Sequence, residues 1–232
     1  MQQQQIMQQH NKLVLALAKG RILRESLPLL AQTGIEPLES IDASRKLIFP
    51  TSHPHIDIIV VRATDVPVYV GHCAADLGVV GKDTLLEYAG ENFYDMLDLK
   101  ISPCKLIVAG LADNSDINRS DVNRTMQGSV RRLTIATKYV KTTKKYFAAK
   151  NKNVDMVKLY GSMELAPLTG LADYIVDIMD TGNTLQQNGL VPLATIMPIT
   201  SRMIVSKTAL KTKHQLINPL LEHLQTIISA CT

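Results

Sequence analysis

Tryptophan is absent from this 232-residue chain, and seven tyrosines and three phenylalanines bring aromatics to only 4%. So sparse a set leaves few platforms on which the bases of single-stranded nucleic acid could stack. A dominant charge is missing too: 25 basic residues face 21 acidic ones, a formal net charge of +4. That mild excess suits an anionic ligand but falls short of the basic stripe of a nucleic-acid binder. Cysteine is scarce. Cys73, Cys104 and Cys231 stand singly with no CxxC pair, which fits a reducing cytosol better than a disulfide framework. The six histidines show no ligand spacing with cysteine. His53 and His55 flank Pro54 and, with no third ligand in view, read as loop residues. No run of apolar residues is long enough to span a bilayer. The run Leu13 to Ala18 is too short for a signal peptide and follows a polar rather than basic start, so a soluble, cytoplasmic protein is expected. The P-loop pattern GxxxxGK[ST] is also missing, as is any Ser-His-Asp or Cys-His arrangement.

What is present alternates. Short apolar runs follow amphipathic segments from end to end, the rhythm of an α/β fold. "KLVLALAKGR" is a buried strand leading into Lys19-Gly20-Arg21, and "ILRESLPLLAQTG" a helix with Gly34 near its C-cap. "HIDIIVVRATDVPVYVGHCAADLGVVGKD" predicts strand, helix, strand, with Asp65 as N-cap and Pro67 in the first turn. Asp83 then caps a helix over Thr84 to Tyr88. Two strand-like pieces surround Pro103, "RRLTIATKYV" is a strand and "KTTKKYFAAK" a basic helix. The C-terminal "HQLINPLLEHLQTIISA" is an amphipathic helix with Leu216, Leu220, Leu224 and Ile227 on its packed stripe. Residues 112 to 130 read as a polar surface loop, and the Gln-rich residues 1–11 as a disordered tail. No internal repeat is visible. The weakest packing signals lie at 101–105 and 188–192. They divide the chain into lobe I, residues 12–103 and 190–232, and lobe II, residues 104–189.

The richest stretch is "DYIVDIMDTGNTLQQNGL", Asp173 to Leu190. A strand runs into a Thr-Gly-Asn-Thr loop that opens a helix. In α/β proteins ligands bind at the carboxyl ends of strands, and such a loop offers backbone N–H groups and the Thr181 and Thr184 hydroxyls to an anion. Gly182 lets the backbone approach closely. Asp177 and Asp180 would repel a phosphate unless they face ribose hydroxyls or a magnesium ion. Together the acids and the loop suit a ribose 5-phosphate group. The local pattern fits equally an Asp cap followed by an ST-turn that holds nothing.

Basic residues form a second set. Lys19 and Arg21 follow a strand, Arg45 and Lys46 in "ASRKLIFP" are taken to follow another, and Arg62 ends "IDIIVVR". At strand ends they could converge on a polyphosphate, where arginine binds oxygen pairs. Singly, each also fits a solvated surface charge. A third loop, "GSMELAP", brings Ser162 and Glu164 after a strand. Glu164 is either an acid favoured by a helix start or a group reaching a ribose hydroxyl or an amino group.

Seven segments in order resemble the ATP phosphoribosyltransferases that open histidine biosynthesis: "LALAKGRI", "SRKLIFP", "RATDVPVYV", "ADLGVVGKD", "IATKY", "LYGSMELAPLTGLAD" and "IVDIMDTGNTLQQNGL". The resemblance covers nearly all of residues 12 to 206. It implies a fold like type II periplasmic binding proteins, two α/β lobes with the active site in the cleft. It also implies the short form of the family, a catalytic homodimer within a hetero-oligomer whose regulatory subunit resembles a histidyl-tRNA synthetase. The substrates implied are ATP and 5-phosphoribosyl 1-pyrophosphate (PRPP), with Mg2+ on the pyrophosphate. Asp180, Thr181, Gly182, Asn183 and Thr184 match the PRPP motif, with Asp177 on the ribose side. Arg21 and Arg45 match active-site arginines, and Lys19, Gly20, Lys46, Arg62, Ser162 and Glu164 complete the ATP and pyrophosphate contacts.

Two rival readings differ from this one in testable ways. A solute-binding module of the same fold would perform no transfer, and a secreted or DNA-bound version would carry a signal peptide or helix-turn-helix. A nucleotide-salvage phosphoribosyltransferase would place two adjacent acids before its loop, whereas Ile178-Met179 separates Asp177 from Asp180.

Overall fold

The computed structural model describes residues 12–112, 125–126, 129–130 and 132–230. The tail 1–11, Cys231 and most of the 112–130 segment lie outside the described residues. Within that segment a short hairpin pairs β7 (Thr125–Met126) with β8 (Ser129–Val130). The chain forms two compact units, residues 1–102 with 200–232, and residues 103–199.

The first unit is built on a six-stranded sheet. Its strands are β1 (Leu13–Ala18), β2 (Ile48–Pro50), β3 (Ile56–Val61), β4 (Leu77–Gly81), β5 (Phe93–Asp98) and β13 (Ser201–Ser206). Their order is β2-β3-β1-β4-β13-β5. β1 runs parallel to β3 and β4, while β2, β13 and β5 pair antiparallel. The continuous apolar run of β1 reflects burial on both faces. Leu13, Leu15 and Leu17 face one core with Leu23 and Leu30 of the helix Arg21–Ala31. Ala16 and Ala18 face the other, with Val66 and Val70 of the helix Val66–Gly71. This is the two-residue alternation of a strand.

The C-terminal helix His214–Ala230 packs on the first of those cores. Its buried stripe is Ile217, Leu220, Leu224 and Ile228. Leu220 and Leu224 lie in the stripe as expected, whereas Leu216 and Ile227 flank it half-buried and Ile217 and Ile228 take their places. The helix after β4 also starts earlier than expected, at Lys82, with Gly81 at its N-cap and Asp83 inside the first turn.

The second unit holds a five-stranded sheet in the order β10-β9-β11-β6-β12. Its strands are β6 (Cys104–Leu111), β9 (Leu133–Thr137), β10 (Val154–Lys158), β11 (Tyr174–Met179) and β12 (Leu190–Ile199). β12 pairs with β6 from Leu190 opposite Leu111 to Ile199 opposite Cys104. Residues 190–199, assigned to lobe I from the sequence, are therefore part of the second sheet, and the chain returns to the first unit at Thr200. Two register shifts and the prolines at 192 and 198 break the alternation of β12. That is why its sequence reads as a crossing rather than a strand.

The two units share a plan that no sequence repeat announces. The central parallel trio is β3-β1-β4 in one and β10-β9-β11 in the other, each followed by an antiparallel strand. The same staple closes each trio. In the first unit Asp76 N donates to Val14 O at 2.8 Å, and Val14 N donates to the Asp76 carboxylate at 2.8 Å. In the second, Asp173 N donates to Thr134 O at 2.9 Å and Thr134 N to the Asp173 carboxylate at 2.8 Å. Only one Ala-Asp pair ahead of each strand records the match.

Candidate functional site

In the first unit β1, β3 and β4 end on one edge, Ala18 beside Val61 and Leu17 beside Val79. Lys19 N donates to Val61 O at 2.8 Å, carrying the ladder one residue past the strand. Gly20 then turns the chain at φ 99°, a conformation costly for any residue with a Cβ. Arg21 opens the following helix. Its Nε donates to Glu25 Oε1 at 2.7 Å. The other oxygen of Glu25 accepts from Ser102 N at 2.5 Å and Ser102 Oγ at 3.0 Å. Burial pushes the Glu25 carboxyl up, but hydrogen bonds from Arg21 and Ser102 and the Arg21 charge outweigh it and hold the group below its ordinary value.

Arg62 leaves the end of β3 exposed. Arg45 and Lys46 reach the same edge by a different route from the one the sequence suggested. They do not follow a strand but precede β2. Because β2 is antiparallel to β3, with Ile48 opposite Ile59, its start lies at the carboxyl end of β3. Lys46 pairs with Glu39 at 2.6 Å, and Arg45 is exposed in the loop before it. The edge also carries Lys82 and Asp83 after β4; the sequence marks Asp83 only as a helix cap and gives Lys82 no role. The signal was the apolar run ending at Gly81, the same strand-to-loop pattern as at Lys19.

In the second unit the parallel strands β9, β10 and β11 likewise deliver three loops to one edge. After β11 come Asp180, Thr181 and Gly182, then the helix Asn183–Gln187. Gly182 is left-handed at φ 83°, and Gln186 N donates to Gly182 O at 3.1 Å. Asn183 N points at Thr181 Oγ1, 3.5 Å away. The helix has only five residues, so its macrodipole is small, and the local N–H groups and hydroxyls are what the loop offers an anion. Thr181, Asn183 and Thr184 are exposed. Asp177 lies within β11, its Oδ1 accepting from Ile178 N at 2.8 Å, and Asp180 is exposed at the strand's end.

After β10, Ser162 adopts φ 50°, an uncommon left-handed conformation for a residue with a side chain. Glu164 stands at the N-cap of the helix Leu165–Leu168, and its carboxylate makes no capping hydrogen bond. After β9, Thr137 Oγ1 donates to Val176 O at 2.7 Å and accepts from Tyr139 N at 2.9 Å. That clamp presents Lys138, whose ammonium lies 4.8 Å from the Tyr139 ring centroid. Lys138 belongs to the same edge and was singled out in the sequence only as part of "IATKY".

Each unit therefore gathers its candidate residues on the carboxyl edge of its parallel strands, cationic in the first and richer in hydroxyls and acids in the second. A cavity of about 260 Å³ in the first unit lies elsewhere, around Leu13, Ile56 and Leu220, and holds none of them. Among the described residues no group of three or more His, Cys, Asp or Glu could hold a metal ion. Nor is any helix there long and apolar enough to cross a membrane.

Residues 62–226 match the family model HisG, ATP phosphoribosyltransferase. An ATP phosphoribosyltransferase of Psychrobacter arcticus is 51% identical over 218 residues, covering 94% of this chain and 89% of the relative. A chain of the ATP phosphoribosyl transferase (HisG:HisZ) complex from Thermotoga maritima is 30% identical with a TM-score of 0.74, covering 94% of this chain and 99% of that one. The periplasmic aliphatic sulphonate binding protein SsuA of Escherichia coli, 12% identical, shares the fold at a TM-score of 0.56, covering 94% of this chain and 69% of its own. A family model over most of the chain and a relative half identical to it along nearly its whole length settle the matter: this chain belongs to the ATP phosphoribosyltransferase family.

Proposed function

We propose that this chain joins adenine N1 of ATP to C1 of PRPP, releasing pyrophosphate, as the first step of histidine biosynthesis in the cytoplasm. The observation that supports it best is the shared placement of the family-matching loops at carboxyl strand ends in both units. The N1 lone pair forms the new bond to C1 as the C1–O bond to pyrophosphate breaks, and both electrons of that bond leave with pyrophosphate. Adenine N1 needs no strong base. The demand falls on stabilising the departing pyrophosphate and a cation-like sugar.

In this reading the Asp180–Thr184 loop holds the 5-phosphate through N–H groups and the Thr181 and Thr184 hydroxyls, with Asp177 on the ribose side. Arg21 and Arg45 take up charge on pyrophosphate and the ATP phosphates. Lys19, Gly20, Lys46, Arg62, Ser162 and Glu164 line the ATP and pyrophosphate contacts. Losing one such donor should raise the barrier by roughly 2.7–4 kcal/mol. Mg2+ is expected on the pyrophosphate oxygens of the substrate, keeping several waters and few protein ligands. The HisG:HisZ complex of the Thermotoga relative supports a regulatory partner subunit here; in this reading that subunit resembles a histidyl-tRNA synthetase and the catalytic chain forms a homodimer inside the hetero-oligomer.

The test mixes the purified chain with ATP, PRPP, Mg2+ and pyrophosphatase and follows near-ultraviolet absorbance of N1-ribosylated adenine. Product should require both substrates and vanish in Arg45→Ala and Thr184→Ala. Product from free adenine instead of ATP would favour the salvage-type reading. Silence from well-folded protein, with and without the regulatory subunit, would favour a binding module.

A further inference from the structure

Glu25 lies one helical turn from Arg21 and is held at both oxygens. Oε1 takes the Arg21 Nε–H at 2.7 Å, while Oε2 takes the amide and the hydroxyl of Ser102 at 2.5 and 3.0 Å. Ser102 is 8% exposed and sits at φ 50°, a strained conformation for serine. It is also the last residue of the first unit before the chain passes to Pro103. The backbone beside it is pinned in turn: Ser201 N donates to Ile101 O and Leu99 N to Ser201 O, both at 3.0 Å.

An ordinary pair four residues apart on a helix, exposed by about a third as this one is, contributes little by itself. Holding an arginine in one rotamer costs more, since its long side chain gives up the freedom of several rotatable bonds. Here the acceptor does not have to be ordered at the same time, because a buried backbone amide and hydroxyl have already fixed the carboxylate. Contact through Nε then sets the plane of the guanidinium fork.

We infer that Glu25 is a positioning residue for Arg21, fixing the guanidinium plane by anchoring it to the backbone at Ser102. This rests on the transferase reading, in which Arg21 meets phosphate charge. A displacement of about 1 Å in such a group can cost on the order of 100-fold in rate. Glu25 would therefore matter to turnover without touching substrate.

The decisive experiment is a double-mutant cycle in the full chain, with kcat and both KM values measured for Glu25→Ala, Arg21→Ala and the pair. Glu25→Ala should lower kcat/KM by about 10- to 100-fold. On an Arg21→Ala background it should lower it no further, because the group it positions is gone. A purely structural Glu25 would lower the thermal midpoint while its kinetic effect multiplied with that of Arg21→Ala, and that result overturns the inference. Unchanged kcat/KM in folded Glu25→Ala also overturns it. Should the alanine variant not fold, Glu25→Gln, which keeps the shape and one acceptor oxygen, runs the same cycle. Wild-type silence with ATP and PRPP, both with and without the regulatory subunit, would instead refute the transferase reading, a result separate from any difference among variants.

Discussion

Asp76→Ala should destabilise the first unit by about 3–4 kcal/mol, and adding Lys213→Met should recover about 1–2 kcal/mol of it. The Asp76 carboxylate accepts the Val14 amide at 2.8 Å and the Lys213 ammonium at 2.9 Å on each oxygen. Its side chain is 12% exposed and that of Lys213 19%. Truncation strands the amide at the head of the central strand, worth roughly 1–3 kcal/mol. It also removes the counter-charge of a mostly buried ammonium, and breaking such a pair costs roughly 3–5 kcal/mol when burial is complete. The sum is discounted because Lys213 keeps one partner, Lys12 O at 2.7 Å, and some water. Removing the ammonium as well eliminates the uncompensated charge but leaves the amide unpaired, so recovery is partial.

Urea unfolding gives the energies, and hydrogen exchange resolved by segment shows whether the loss is confined to β1, β4 and β13. Because the staple sits at the amino ends of β1 and β4, opposite the candidate site, kcat/KM of the folded variants should match wild type. A double variant as unstable as the sum of the two single changes would refute the buried-charge reasoning.

Three further outcomes follow from the same geometry. Gly182→Ala forces a side chain into the left-handed region, costing roughly 1–2 kcal/mol; KM for PRPP should rise about tenfold while KM for ATP moves less, read from initial rates. Asp98 resembles Glu25: burial raises its carboxyl, but bonds from Thr200 and Lys100 and the Arg202 charge win and hold it below its ordinary 3.8. A carboxyl lowered by folding adds stability above its unfolded value and loses it as pH falls through the folded one. Urea midpoints should therefore decline as pH drops below about 4.5 for Glu25 and 3.8 for Asp98, and Glu25→Gln should flatten the first part of that decline. Finally, the buried Thr143 hydroxyl has no hydrogen-bond partner among the described residues. Thr143→Val should leave the thermal midpoint unchanged or raise it, whereas a clear fall would reveal a partner for the hydroxyl.

Much of this protein is legible in one dimension because its signals are local. The run Leu13–Ala18 had to be a buried strand, since an uninterrupted apolar stretch of that length needs cover on both faces. The C-terminal helix appears over the segment its periodicity marked, because a stripe every three to four residues survives without knowledge of the partner. The Thr-Gly-Asn-Thr loop was visible for a similar reason. Gly182 and the strand before it state a turn conformation and a strand end in adjacent letters. Order and identity of seven such segments sufficed for the family.

Long-range pairing decided the rest. Arg45 joins the candidate edge only because β2 runs antiparallel to β3, a direction that no local pattern encodes. β12 belongs to the second sheet because β6 offers it a hydrogen-bonding edge, while its own bulges and prolines hide the alternation of a strand. Glu25 carries no signal of its own in the helix after β1; its meaning depends on Ser102, distant in sequence and brought near by the fold. The shared plan of the two sheets is likewise stated by backbone hydrogen bonds that side-chain identity barely constrains. By itself the sequence determined most of the elements, the strand-end loops and the family. Tertiary structure decided which loops share an edge and which carboxylate holds which cation, because those depend on contacts between residues far apart along the chain.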